Sequence, residues 1–187
     1  MQSPLLVVMV IAAALRFFFA QGNGYVGLEA EADGMCRLFE SQILTESPDF
    51  VPGGLSWLPL PYWMYLAVGA TGVGVVAAGK IVSFVFGILT VLFFYKLVLK
   101  RFAPEIAFIS ALTLATLPFY VKFSYVPMSE VPFVFFIVFA LWALFTYFEN
   151  KKTYWLMIAS LSINAASLIR FEGWIFAGLL PLSLIHI

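Results

Sequence analysis

Charge is what this sequence has least of. Its 187 residues hold ten acids, ten bases and one histidine, 11% charged against 63% hydrophobic, with a mean hydropathy of +1.02. Soluble domains carry about 25% charged residues, so a soluble globular chain is excluded and a multi-pass membrane protein remains. A formal net charge of zero removes any electrostatic case for nucleic acid. The single cysteine, Cys36, excludes an internal disulfide and gives no metal-ligating pattern; a small apolar filler is its ordinary role. No internal repeat or low-complexity tract is visible, and His186 takes no role. What abounds is phenylalanine, 21 in all, which suits lipid-facing helices.

The N-terminal run "PLLVVMVIAAALRFFFA" has two readings. It is either a signal peptide with Ala12-Ala13-Ala14 as cleavage site or a first span. No Lys or Arg precedes it, and the apolar run continues past the alanines to Ala20, which favours the span. At ~1.5 Å per residue it covers about 25 Å, nearly a hydrocarbon core. Further spans are predicted at 81–99, 105–121, 131–148, 154–169 and from 174 to the end. Residues 62–79, "YWMYLAVGATGVGVVAAG", are long enough to cross but carry Gly69, Gly72, Gly74 and Gly79. A crossing helix and a re-entrant or surface-lying segment are both open. The chain stops inside the apolar run "FAGLLPLSLIHI", so the expectation is the N-terminal part of a longer protein.

Lys96, Lys100 and Arg101 border one polar break and Lys151 and Lys152 another, with two predicted spans between them. They therefore share a side, cytoplasmic by the positive-inside rule. If 62–79 does not cross, the acidic stretch "GLEAEADGMCRLFESQIL" lies outside together with the breaks at 121–130 and 170–174. That arrangement collects most remaining ionisable residues on one face. Within the stretch, residues 33–44 have helical spacing. Met35, Leu38, Phe39 and Ile43 fall on one face, and Asp33, Arg37, Glu40 and Ser41 on the other. Such a helix is expected to lie in the membrane surface with its charges toward water. Asp33-Gly34 marks its start, where Asp33 would serve as a cap.

The order of features then resembles a known superfamily. One span, an external loop with an Asp opening an amphipathic helix, "WLPLPYW" and "GKIVSFVFGIL" are similar to the GT-C membrane glycosyltransferases. Nearest are those using polyprenyl-phosphate sugars, the protein O-mannosyltransferases and lipid A aminoarabinose transferases. In that superfamily an Asp-(Glu/Gly) pair begins the first external loop, a Pro-Pro-Leu-like turn follows, and a Gly–Arg–Ser–Gly pattern enters the second span. Asp33-Gly34, Leu58-Pro59-Leu60 and Gly79-Lys80 through Gly87 match, as do "MSEVPFVFF" and "LIRFEGW" farther on. Gly34 stands where many relatives carry a second acid, and Lys80 where an Arg is usual.

The resemblance implies an all-α, multi-pass transmembrane bundle with an external loop carrying the amphipathic helix. Residues 1–187 would be the N-terminal part of a GT-C catalytic module in the plasma membrane, its active site facing outside. The implied reaction, inverting at the sugar carbon, moves a sugar from a polyprenyl-phosphate donor to a protein or glycolipid acceptor. Asp33 is by resemblance the base, because a carboxylate within hydrogen-bond reach can take the acceptor proton. Glu130 either stabilises the first turn of its span or assists acceptor binding, with a divalent cation shared with Asp33 as one form of that role. Arg170 either anchors the interface by snorkelling or grips the carrier phosphate with its planar fork. Glu172 is grouped with it, although two residues apart on a regular helix face different ways, and Gly173 is expected to end that helix. Lys80 and Lys122 are weaker candidates for the phosphate. Arg16 is expected to snorkel from the first span or to pair with an acid in the loop. A transporter or flippase of lipid-linked sugars is the main rival, but it should carry mid-span charges and inverted repeats. A non-catalytic assembly subunit is the third reading.

Overall fold

The computed structural model describes residues 2–22, 32–47 and 57–185. These are helical, with no strand among them. They form α1 (Gln2–Gly22), α2 (Ala32–Glu46), α3 (Leu60–Val68), a π-helical turn (Gly69–Val73), α4 (Val75–Leu99), α5 (Pro104–Thr116), α6 (Pro118–Phe123), α7 (Glu130–Asn150), α8 (Thr153–Ser167) and α9 (Glu172–Ile185). Pro4–Gln21 within α1, the whole of α4 and the whole of α7 are long and apolar enough to cross a bilayer. His186 and the acids at 29 and 31 lie outside the described residues.

The interior is built from small side chains. Ala107, Ala111 and Ala115, one turn apart along α5, are fully buried with Val8 and Ala12 of α1 and Val91 of α4. Helices in lipid gain little from burying apolar surface, so close approach of backbones through small residues does the packing. Large apolar side chains point outward instead: Phe119, Phe18, Leu161 and Met157 are exposed. Not all of the phenylalanine faces lipid, however. Phe93 of α4 meets Phe139 and Trp142 of α7 at ring distances of 4.7 and 5.0 Å, and Trp142 meets Trp155 of α8 at 5.2 Å. Edge-on aromatic pairs of this kind hold α4, α7 and α8 side by side.

Several sequence expectations need correction. The predicted span 105–121 is broken: Leu117 is extended (φ −60°, ψ 117°), because the ring of Pro118 disfavours helical geometry in the residue before it. Arg16 does not snorkel. It is fully buried, donating from Nη1 to the carbonyls of Ala12 (3.0 Å) and Ala115 (3.2 Å), with Tyr120 5.5 Å away. The second of these carbonyls belongs to the last turn of α5, which the Pro118 break leaves short of amide partners. α1 runs through Ala12–Ala14 without interruption.

Residues 62–79 fold back rather than cross. The Leu60 amide donates to Leu168 O at 3.1 Å, and Tyr65 packs against Leu38 and Val82 with Val68 and Val75 beside them. α3 thus lies along the first turns of α4, and the reversal uses Gly72 and Gly74 at φ +96° and +75°. Such angles suit glycine. At the opposite end of the bundle the two basic breaks meet, Lys100 Nζ lying 2.5 Å from Glu149 Oε2. Their shared side is therefore a feature of the fold.

Candidate functional site

The end of the bundle away from Lys100 gathers α2, the 124–130 break, and the turn between α8 and α9. Close backbone approach is what assembles them. A Cβ on Gly34 would sit 3.1 Å from Pro127 O, and one on Gly79 would sit 2.8 Å from Pro127 Cβ and 2.9 Å from Leu38 Cδ2. Gly34, where a second acid was the family expectation, is buried against Pro127 and Met128, so an acid there would point into packed protein rather than a cleft. Gly173 does not end a helix. It stands in the first turn of α9, where a Cβ would lie 2.6 Å from the Ser167 backbone.

α2 is rolled relative to the sequence expectation. Its inward residues are Gly34, Arg37, Leu38, Ser41 and Leu44, while Met35, Phe39 and Ile43 are exposed. Arg37 turns inward because Trp57 offers its ring face, 4.3 Å from the guanidinium carbon, a contact that favours a weakly hydrated cation. Met35, Phe39 and Ile43 then face away from the protein, on the side a bilayer surface would cover. Asp33 lies inside the first turn, one residue past the helix start, rather than at the cap.

Four of the predicted residues come together. Asp33, Glu130, Arg170 and Glu172 line one cavity of about 290 Å³, with Arg37, Trp57, Leu58, Ser129, Ile169 and Phe171. Arg170 is the hinge of its ionic structure. Its Nη1 donates to Glu130, its Nη2 to Glu172 Oε1 at 2.8 Å, and its Nε to both oxygens of Glu172 at 3.3 Å. The pair two residues apart can meet because Arg170 lies in the turn before α9, off the regular helix. Hydrogen bonding to Glu172, with the Glu130 charge beside it, makes the guanidinium more basic than usual. The reciprocal bond from Arg170 holds the Glu172 carboxyl below its ordinary range.

Lys80 and Lys122 do not join this cavity. Lys80 lines grooves between α1 and α4 and beside the π-helical turn, and Lys122 lies 6.0 Å from the Phe123 ring. Ser129 and Arg37 are the residues that sequence reasoning left out. Arg37 was detectable, since it follows Asp33 by one turn and shares its helix face; nothing local marked Ser129. Four polar atoms around the site are buried without a hydrogen-bond partner: Arg37 Nη1, Ser129 Oγ, Glu130 Oε2 and Tyr65 Oη. Among the described residues no group of three or more His, Cys, Asp or Glu is placed to hold a metal ion.

Residues 58–185 match the model of a family described as dolichyl-phosphate-mannose-protein mannosyltransferase. The chain belongs to that family. No curated protein and no solved structure matches it. Membership makes this a membrane glycosyltransferase of mannosyltransferase type, in keeping with the GT-C resemblance. The match to the mannosyltransferase family takes in Glu130, Arg170 and Glu172 but begins after Asp33 and Arg37. The assignment of α2 to the site therefore stands on geometry.

Proposed function

We propose that the cavity between α2, α7 and the α8–α9 turn transfers a sugar from a polyprenyl-phosphate donor to a hydroxyl acceptor on the non-cytoplasmic face of the plasma membrane. The supporting observation is the convergence of Asp33, Glu130, Arg170 and Glu172 on one cavity, at the end of the bundle opposite the basic breaks. The family description names dolichyl-phosphate-mannose as donor and protein as acceptor, and a protein or glycolipid hydroxyl would serve the same chemistry here.

The Asp33 carboxylate takes the acceptor hydroxyl proton, and the acceptor oxygen forms a bond to the sugar anomeric carbon. The bond from that carbon to the phosphate oxygen breaks, its electron pair leaving with polyprenyl phosphate. Attack opposite the leaving group inverts the carbon. The departing phosphate gains a negative charge as the bond breaks. Arg170 can meet it by exchanging Glu172, whose side chain is 51% exposed, for phosphate oxygens, while Glu130 keeps the guanidinium in place. A fixed cation aimed at developing charge is a large source of rate.

The test uses the full-length protein in membrane vesicles with a labelled polyprenyl-phosphate mannose. Asp33→Asn preserves size but removes the base, so transfer should fall by about 10²–10⁴-fold with normal membrane insertion. Turnover near wild type would withdraw Asp33 as the base.

A further inference from the structure

The phosphate of a lipid-linked donor needs more positive charge than Arg170 supplies in this cavity. Three carboxylates line it, those of Asp33, Glu130 and Glu172, and only two guanidiniums. Arg170 is already engaged with two of the carboxylates. Arg37 is different. Among the described residues it has no carboxylate partner, it is only 3% exposed, and its Nη1 is buried with nothing to donate to. A buried charged N–H left unmet costs more than the bond it could make returns. Such a donor, on a residue that lines a cavity, marks a place for an anionic ligand.

We propose that Arg37 binds the phosphate of the lipid-linked donor, with the Ser129 hydroxyl as a neutral second donor, so that the carrier phosphate bridges Arg37 and Arg170. Three features fit that ligand. Trp57 covers one face of the guanidinium at 4.3 Å, which fixes its plane and leaves its edge for a planar two-pronged contact to oxygens. Ser129 is fully buried and lines the same cavity, and its Oγ has no hydrogen-bond partner. Arg37 also stands one helical turn from Asp33, so a single element places the base and the phosphate ligand about 6 Å apart along its axis. That spacing suits a reaction in which the acceptor oxygen and the leaving phosphate oxygen lie on opposite sides of one carbon. Removing Arg37 would leave three acids facing one base, a cavity that repels phosphate.

The inference rests on reading the cavity as the transfer site, and the experiment separates the two. Binding of a polyprenyl monophosphate to the purified full-length protein in nanodiscs is measured for wild type, Arg37→Gln, Arg37→Lys and Ser129→Ala. Inorganic phosphate serves as competitor. Loss of a charge-assisted hydrogen bond predicts about ten- to hundredfold weaker binding for Arg37→Gln, with the donor KM raised and the acceptor KM unchanged. Arg37→Lys should fall between, because it keeps the charge but not the fork. Inorganic phosphate should displace the lipid from wild type, which marks the headgroup rather than the tail as the part held. Wild-type affinity in Arg37→Gln overturns the subsite even if Asp33→Asn abolishes transfer. Full transfer by Asp33→Asn overturns the base while leaving an Arg37-dependent affinity intact. Should Arg37→Gln fail to fold, Arg37→Lys decides, and unchanged affinity and donor KM in that variant reject the proposal. An equal loss of donor and acceptor affinity, accompanied by a lowered melting temperature, would make Arg37 a structural prop of α2 and reject it too.

Discussion

Arg170 holds two carboxylates that would otherwise repel each other across one cavity, and that double duty depends on its shape. The guanidinium presents donors in a fixed fork, so Nη1 can serve Glu130 while Nη2 and Nε serve Glu172. A lysine ammonium is a point charge on a flexible stem. Arg170→Lys should therefore insert normally yet use the donor about tenfold less well, read as apparent donor affinity with acceptor saturating. An interface anchor would behave otherwise, because Lys snorkels as well as Arg, and an unchanged affinity would return Arg170 to that role. The same contacts predict a pH dependence. Glu172 has its folded pKa depressed below 4.5 by hydrogen bonding from Arg170, so its contribution is complete above the unfolded value and fades as pH falls through the lower folded one. The stability gap between wild type and Glu172→Gln in detergent should stay constant from neutral pH down to about 4.5 and close below it. With Glu172 largely exposed, that gap is small.

At the level of elements, glycines decide which helices touch. Gly87 of α4 is buried against the 120–124 turn, where a Cβ would meet Ser124 Oγ at 2.5 Å and Ser124 Cβ at 2.6 Å. Gly87→Ala should cost about 1–3 kcal/mol through overpacking, measured as a lowered unfolding midpoint in detergent, and Ser124→Gly in the same chain should restore much of it. Gly178→Ala, with nothing within 4 Å of its Cβ position, should leave the midpoint unchanged; equal losses at both sites would remove the packing explanation. These contacts also explain what could and could not be read from the chain. Hydropathy located α1, α4 and α7, because a bilayer demands long apolar helices whatever they pack against. The break at Leu117 was missed because a proline within an apolar run is tolerated in many spans. The roll of α2 escaped because it is set by Trp57, Pro127 and Met128, none of which is near in sequence. Of the predicted apolar face, Met35, Phe39 and Ile43 are exposed together while Leu38 turns inward, and a stripe alone does not tell which surface covers it. The pairing of Arg170 with Glu172 was hidden for a related reason, since helical spacing forbids it and only the turn before α9 allows it.

For the whole molecule, the consequence is a segregation of charge between two ends. Lys96, Lys100 and Arg101 close α4, and Lys151 and Lys152 occupy the tight α7–α8 turn, where Lys151 adopts φ 56° and Lys100 reaches Glu149. The fold-back of 60–79 returns the chain to the end where it began, so α2 and the cavity lie opposite those cations. The orientation proposed above, with the cationic end in the cytoplasm and the cavity outside, rests on the bias of lysine and arginine toward short cytoplasmic loops. Single cysteines on a Cys36→Ser background test this in intact cells with an impermeant thiol reagent. Gln42 on α2 and Lys152 in the turn are both exposed, so access to either reports the side of the membrane rather than burial. Gln42→Cys should label without permeabilisation and Lys152→Cys only after it. The reverse pattern would put the cavity in the cytoplasm, where a donor delivered to the outer leaflet could not reach it. Labelling of both positions without permeabilisation would mean that α4, α5 and α7 do not carry the chain across in the order the bundle requires.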